Sequence, residues 1–374
     1  MERDVYKKLA QHLDNLPGGF PTTETGVELR ILRRLFTPEE AALAVHLNLI
    51  AEEPRVIARR AKLPVYETAQ RLEEMACKGL IFRIEDKRRP TRYRALQYVI
   101  GIWEFHVNDL DANLIRDMNE YIPTLFDGEI WKKVPQLRTI PVERSISTEL
   151  KALPYEKVAE LVDVQKKFAV APCICRRESK MVGKGCDKLE ETCLVFGIAA
   201  DYYERNGLGR VIDKEETLEI LKRAEEAGLV LQPSNAKEIV NICCCCGCCC
   251  QVLKNLKRYP KPASYFSASF VANINPDTCQ GCGTCIERCQ MEALRLEGDQ
   301  ALLDSDRCIG CGLCVSTCPT ESLRLVRKPE TEQPKVPRNV VEASIRLARE
   351  RGKLGPSELL KMQLKSKVDR FLKT

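Results

Sequence analysis

The sequence is poor in the residues that most enzyme centres use. It has three histidines in 374 residues, His12, His46 and His106, and none has another histidine or a cysteine at ligand spacing. That argues against a histidine-rich metal site and gives no hint of a Ser-His-Asp arrangement, so the three are read as structural or surface groups. Phosphate-binding glycine loops are missing too: GxG occurs in VGKGC and NGLGR without the surrounding dinucleotide or P-loop pattern. No run approaches the length of about 18 apolar residues that a membrane span needs. The opening MERDVYKKLAQHLD is charged and has no apolar signal core, so a cytoplasmic protein is expected.

A charge excess spread over the whole chain is also lacking. The formal charge is +6, and from Lys328 to Thr374 there are twelve Lys/Arg against six Asp/Glu, again +6. The other residues therefore sum to about zero, and the basic balance marks a tail rather than a general nucleic-acid footprint. With 30% charged and 44% hydrophobic residues, the chain has a globular composition, and its length leaves room for two or three domains.

What the sequence has is cysteine. There are twenty, and nineteen of them lie between Cys173 and Cys318, with Cys77 alone outside. In a reducing compartment disulfides are rare and clustered cysteines bind metal. The densest stretch, NICCCCGCCCQ (241–251), holds seven cysteines in eight consecutive positions.

The chain reads as an α+β multidomain protein. Thr25 and Glu28 predict a T-x-x-E capping box ahead of Val27, Ile31, Leu32 and Leu35. Thr37, Pro38 and Glu40 start another helix. PRVIARRAKL (54–63) and PVYETAQRLEEMACKG (64–79) predict two short helices, and IFRIED (81–86) with RYRALQYV (92–99) a hairpin. Together they make a winged helix-turn-helix pattern over residues 1–105. Residues 106–150 read as a connector with some strand. Residues 151–262 read as an α/β cysteine-rich domain: a helix at Val158, Leu161 and Val162, a strand FAVAPCICR (168–176), a helix ETCLVFGIAADYYERNG (191–207), a helix capped by Asp213 and Glu216 and ended by Gly228, and a strand LVLQPS before the cysteine run. Residues 270–328 are a two-cluster βαβ repeat, and 338–374 a helical basic tail.

The repeat has an offset of 29 residues. PDTCQGCGTCIERCQMEALRL (276–296) overlies SDRCIGCGLCVSTCPTESLRL (305–325), and each half reads C-x2-C-x2-C-x3-C. A cubane needs four converging thiolates. Two-residue spacings supply three of them from one tight loop, with glycines giving the backbone room to turn around sulfide. A zinc site instead prefers C-x2-C pairs separated by a longer loop. The repeat resembles the bacterial two-[4Fe-4S] ferredoxin family. In that two-cluster arrangement the fourth cysteine of each run serves the other cluster. This assigns cluster one to Cys279, Cys282, Cys285 and Cys318, and cluster two to Cys308, Cys311, Cys314 and Cys289. One departure is Gln290, where the second run has Pro319; it predicts a local change in chain geometry or potential.

Upstream, Cys173, Cys175, Cys186 and Cys193 are spaced C-x-C-x10-C-x6-C. On a strand, residues two apart share a face, so Cys173 and Cys175 would present both sulfurs to one site. Arg176 and Arg177 would offset a cluster's negative charge or donate to its sulfurs. The central metal site draws on these four cysteines and on Cys243, Cys244, Cys245, Cys246, Cys248, Cys249 and Cys250, with the ligand subset left open. A lone buried cysteine is an ordinary small hydrophobe, but adjacent thiols in CCCC cannot all turn inward, and exposed ones oxidise unless ligated. The expected cofactors are two [4Fe-4S] clusters and a further [4Fe-4S] or larger iron–sulfur cluster. LPYEKVAELVDVQKKFAVAPCICRRE, CDKLEETCLVFGIAADYY, the cysteine run and the two repeats, preceded by VELRILRRLFTPEEAALAVHL, also resemble a group of ferredoxin-like proteins of anaerobic bacteria with an N-terminal winged-helix-like segment. That resemblance implies electron transfer.

The winged-helix pattern suits either DNA or protein docking. Residues 65–78 carry Arg71 and Lys78 against Glu67, Glu73 and Glu74, whereas the hairpin carries Lys87, Arg88, Arg89, Arg92 and Arg94 against Glu85 and Asp86. A DNA-reading helix normally adds positive charge against phosphate, so the acidic helix favours docking over nucleic acid. The main reading is an electron-transfer protein that exchanges single electrons with a partner redox enzyme, with a homodimer or a larger complex as its candidate assemblies. The alternatives are a redox-sensing winged-helix regulator and a reductase whose central cluster has an open iron.

Overall fold

The computed structural model describes residues 2–86, 88–126, 128–353 and 355–371. Lys87, counted above with the basic hairpin, lies outside them. The chain divides into two compact units. One is Met1–Asp127 with Arg205–Leu208 and Ser344–Thr374; the other is Gly128–Glu204 with Gly209–Ala343.

The first unit is mainly helical. The helix Pro38–Ala44 begins with a full capping box, in which the Thr37 side chain accepts from the Glu40 amide and the Glu40 carboxylate accepts from the Thr37 amide. The helix Val27–Leu35 starts differently from the expectation. Gly26 stands at its N-cap in a left-handed conformation with no side-chain cap. Thr23, rather than Thr25, holds the first turn: its hydroxyl accepts from the Val27 amide and donates to Glu28. Thr25 instead donates to Glu120 at 2.7 Å. The expected T-x-x-E spacing fails because the left-handed turn at Gly26 shifts the cap outward.

The helices Pro54–Ala61 and Val65–Cys77 are joined through Lys62, whose φ is 56°. The hairpin Phe82–Asp86 with Arg89–Arg94 follows. Two of its arginines turn inward. Arg94 is partly buried and lies over the Phe82 ring at 4.8 Å, and Arg83 is buried against Glu73 at 2.7 Å. The stretch expected as a connector with strand contains the helix Ala112–Leu125, N-capped by the Asp111 carboxylate. Its apolar face, Leu114, Ile115, Met118 and Ile122, is buried, a helical spacing that the surrounding aromatics and prolines obscured. Two helices, Val340–Glu350 and Pro356–Phe371, occupy the stretch expected as the tail.

The second unit is built on a five-stranded sheet in the order Arg210–Ile212, Phe168–Pro172, Glu191–Phe196, Asn241–Cys245, Val230–Pro233. Every pairing is antiparallel, so this region is α+β rather than the expected α/β. Two boundaries also move. The strand FAVAP stops at Pro172, and Cys173 caps the helix Ile174–Met181. ETCLVF is a strand and only Ile198–Arg205 is helical; its β-branched and aromatic residues favour the central strand position that it occupies. The expected helix after Asp213 forms as Lys214–Glu226, with the Asp213 carboxylate accepting from the Glu216 amide.

The repeat folds as two small antiparallel pairs. Phe270–Ile274 pairs with Leu323–Arg327, and Leu294–Glu297 with Gln300–Leu303. Ala272, Ala293, Leu294, Ala301 and Leu323 form a core packed against Cys285, Cys308 and Cys314.

Candidate metal centres

The repeat encloses two cavities. One is lined by Cys279, Cys282, Cys285 and Cys318; the other by Cys289, Cys308, Cys311 and Cys314. Each takes three cysteines from one half of the repeat and one from the other. The loops that carry the cysteines need glycine. Gly310 has φ 64°, and a Cβ there would stand 2.1 Å from the Phe270 carbonyl oxygen. Gly281, with φ 65°, would meet the Asp299 carbonyl oxygen at 2.5 Å.

Backbone and hydroxyl donors point at the sulfurs. The amides of Ala272, Ala293 and Ala301 donate to Cys308, Cys289 and Cys279 at 3.4, 3.2 and 3.4 Å. The Thr284 hydroxyl lies 3.5 Å from the Cys282 sulfur, and that of Thr320 lies 3.6 Å from Cys318. Hydrogen bonds from Thr284 hold the Cys282 thiol below its usual range. Burial pushes Cys311 up to about 12 and Cys314 well above the ordinary thiol. Thiols so buried become thiolates when a metal takes their charge, which fits the chemistry of this donor set.

The central cysteines fall into two groups. Along the strand Asn241–Cys245, alternation puts Cys243 and Cys245 on one face and Ile242 and Cys244 on the other. Cys193 stands opposite Cys243 in the ladder and so shares its face. Cys173, Cys175 and Cys250 meet this face. The thiols of Cys173, Cys175, Cys250, Cys245 and Cys243 act on one another in turn and so form an arc of five. Cys173 and Cys175 do face one site, but through a helix start rather than along a strand. Cys244 is turned away into the core, where burial raises its thiol.

The second group lies past the strand end, where the Cys250 amide returns to the Cys246 carbonyl at 3.1 Å. This turn carries Cys246, Cys248 and Cys249, and Cys186 joins them. The four sulfurs all lie within 4.8 Å of one another, with Cys186–Cys246 at 4.0 Å, Cys186–Cys249 at 3.6 Å and Cys248–Cys249 at 3.7 Å.

Arg176 connects the two groups. Its side chain is fully buried. It donates to the Cys244 carbonyl at 3.0 Å and to the Thr192 hydroxyl, and lies 3.8 Å from the Cys246 sulfur. Burial would lower its pKa, but the fields of Cys173, Cys246 and Cys245 outweigh burial and raise it. Arg177, expected to share this role, instead pairs with Glu190 at 3.0 Å. Close by, burial pushes the Glu178 carboxyl up to about 7, and the Gln251 amide donates to it at 2.5 Å.

One contact was not anticipated. Gly247, inside the cysteine run, donates its amide to the Gln290 side chain at 2.8 Å. Gln290 follows Cys289 and lines the cavity of Cys289, Cys308, Cys311 and Cys314. Its signal in the sequence was the departure from Cys-Pro at this position, although nothing there named Gly247 as the partner. The partition of the central cysteines left no sequence signal, since Cys186 is remote in the chain from the turn it joins.

His106 is buried, with Nδ1 2.7 Å from the Ile102 carbonyl, and the described helices include none long and apolar enough to cross a membrane. Comparison with curated proteins and with solved structures found no match. Among family models, that of the 4Fe-4S dicluster domain matches residues 272–325. Over those residues the chain carries a ferredoxin-like iron–sulfur domain, the module of an electron-transfer role.

Proposed function

We propose that the protein carries single electrons between its dicluster domain, a central iron–sulfur centre and a partner redox protein. The observation that carries the reading is the pair of cavities, each lined by four cysteines drawn from both halves of the repeat. Cys279, Cys282, Cys285 and Cys318 would hold one [4Fe-4S] cluster, and Cys308, Cys311, Cys314 and Cys289 the other. A further cluster falls to the arc of Cys173, Cys175, Cys243, Cys245 and Cys250. A bound cubane stores and releases one electron with little rearrangement. The protein's part is to exclude water, hold the thiolates and place donors on their sulfurs. Amides at Ala272, Ala293 and Ala301 do the last of these and favour the reduced, more negative state.

The Gly247–Gln290 contact supports exchange between the domains, because it joins the cysteine run to the wall of a dicluster cavity. The first unit then reads as a docking module. Of the basic hairpin residues, Arg94 lies over the Phe82 ring, which leaves less positive charge for phosphate than the sequence suggested. Anaerobic purification with iron and sulfide counts and EPR tests the reading. It requires at least the roughly eight irons per chain of two cubanes, with reducible [4Fe-4S] signals; a lower count, or zinc in their place, ends it.

A further inference from the structure

We propose that Cys186, Cys246, Cys248 and Cys249 form a closed four-thiolate site for a single zinc ion, separate from the iron–sulfur centres. The spacing of the sulfurs carries this. A tetrahedron with metal–sulfur bonds of about 2.3 Å has edges of about 3.8 Å. The recorded separations are 3.6, 3.7 and 4.0 Å, and no pair in the quartet exceeds 4.8 Å. A cubane sets each thiolate on its own corner iron and so holds the four sulfurs farther apart. Among the described residues this compactness is confined to the quartet, and neither dicluster set shares it. Soft thiolates in a tetrahedron select zinc or an iron–sulfur cluster, and the spacing decides for the single ion.

Charge is the second, independent observation. Arg176 is fully buried and forms no ion pair with a carboxylate among the described residues, yet it lies 3.8 Å from the Cys246 sulfur. An uncompensated buried cation is costly. Four thiolates around a divalent ion carry a net charge of −2, and Arg176 offsets half of it. With all four positions filled by protein, the site is of the structural kind. Its work is to brace the turn that carries Gly247, so that the turn stays seated on Gln290.

The test is metal analysis of the full chain purified anaerobically, with X-ray absorption at the zinc edge. The expected result is about one zinc per chain in a shell of four sulfurs at about 2.3 Å. Cys248→Ser, an exposed position, should lose most of the zinc and leave the iron content unchanged. A zinc-free protein overturns the proposal, and so does a Cys248→Ser variant that loses several irons. If that variant fails to fold, the edge spectrum of the unaltered protein decides alone. Failure of the electron-transfer reading would show separately, in the iron count.

Discussion

At Gly247 the side chain has to be a hydrogen atom. A Cβ there would stand 2.2 Å from the Gln290 carbonyl oxygen, a backbone atom that cannot swing aside. Gly247→Ala should destabilise the second unit by about 1–3 kcal/mol and slow electron exchange between the dicluster domain and the central centre. Denaturant melts and stopped-flow reduction would register the two effects. Gln290→Pro, which restores the pattern of the second run, removes the acceptor of the buried Gly247 amide. The loss should be about 1–3 kcal/mol, with the iron content of residues 272–325 unchanged. Arg176 is the other decisive residue. In Arg176→Met the central thiolates lose their buried counter-charge, so the variant should retain several-fold less central metal while residues 272–325 keep theirs. Metal analysis side by side with the unaltered protein checks this, and equal metal content would count against the charge argument.

Among the elements, those with local chemistry were the legible ones. The helix Pro38–Ala44 and the helix Lys214–Glu226 both begin where a side-chain cap announced them. Thr37→Ala should cost about 1 kcal/mol, read as a lower midpoint in chemical unfolding. The elements misread were those decided by neighbours. ETCLVF became a strand because it lies between two others in the sheet. Cys173 and Cys175 moved to a helix start because Pro172 ends the strand. The helices Val27–Leu35 and Ala112–Leu125 are tied by a buried carboxylate: Asp117 accepts from Arg34 at 2.9 Å and lies 3.5 Å from Arg30. Burial would raise the Asp117 pKa, but hydrogen bonds from Arg34 and Arg116 outweigh it and lower it. A carboxyl depressed in the folded state contributes stability above its unfolded pKa and loses it as pH falls through the folded value. Acid should therefore loosen this helix pair below the usual carboxylate range. Asp117→Asn should remove about 2 kcal/mol at neutral pH and flatten the acid limb of the stability profile.

Over the whole molecule, the dicluster segment was readable because all eight of its cysteines lie within 40 residues in two like runs. The grouping of the central cysteines was not, because they come from a helix start, two strands, a turn and a distant loop, and only the fold brings them together. The two units should respond differently to chelation. The first holds one cysteine, Cys77, and a core of ordinary apolar side chains, so its unfolding should not depend on metal. The second should lose cooperativity when its metals are stripped, because metal binding and folding are linked. Calorimetry before and after chelation would then show one transition preserved and one broadened or lost.

The sharing of cysteines between the halves of the repeat has a consequence for assembly. Neither half can complete a socket from its own stretch of chain: the N-terminal half needs Cys318, and the C-terminal half needs Cys289. Under the proposed cluster assignment loading is a joint event, and a break between the two runs should empty both sockets at once.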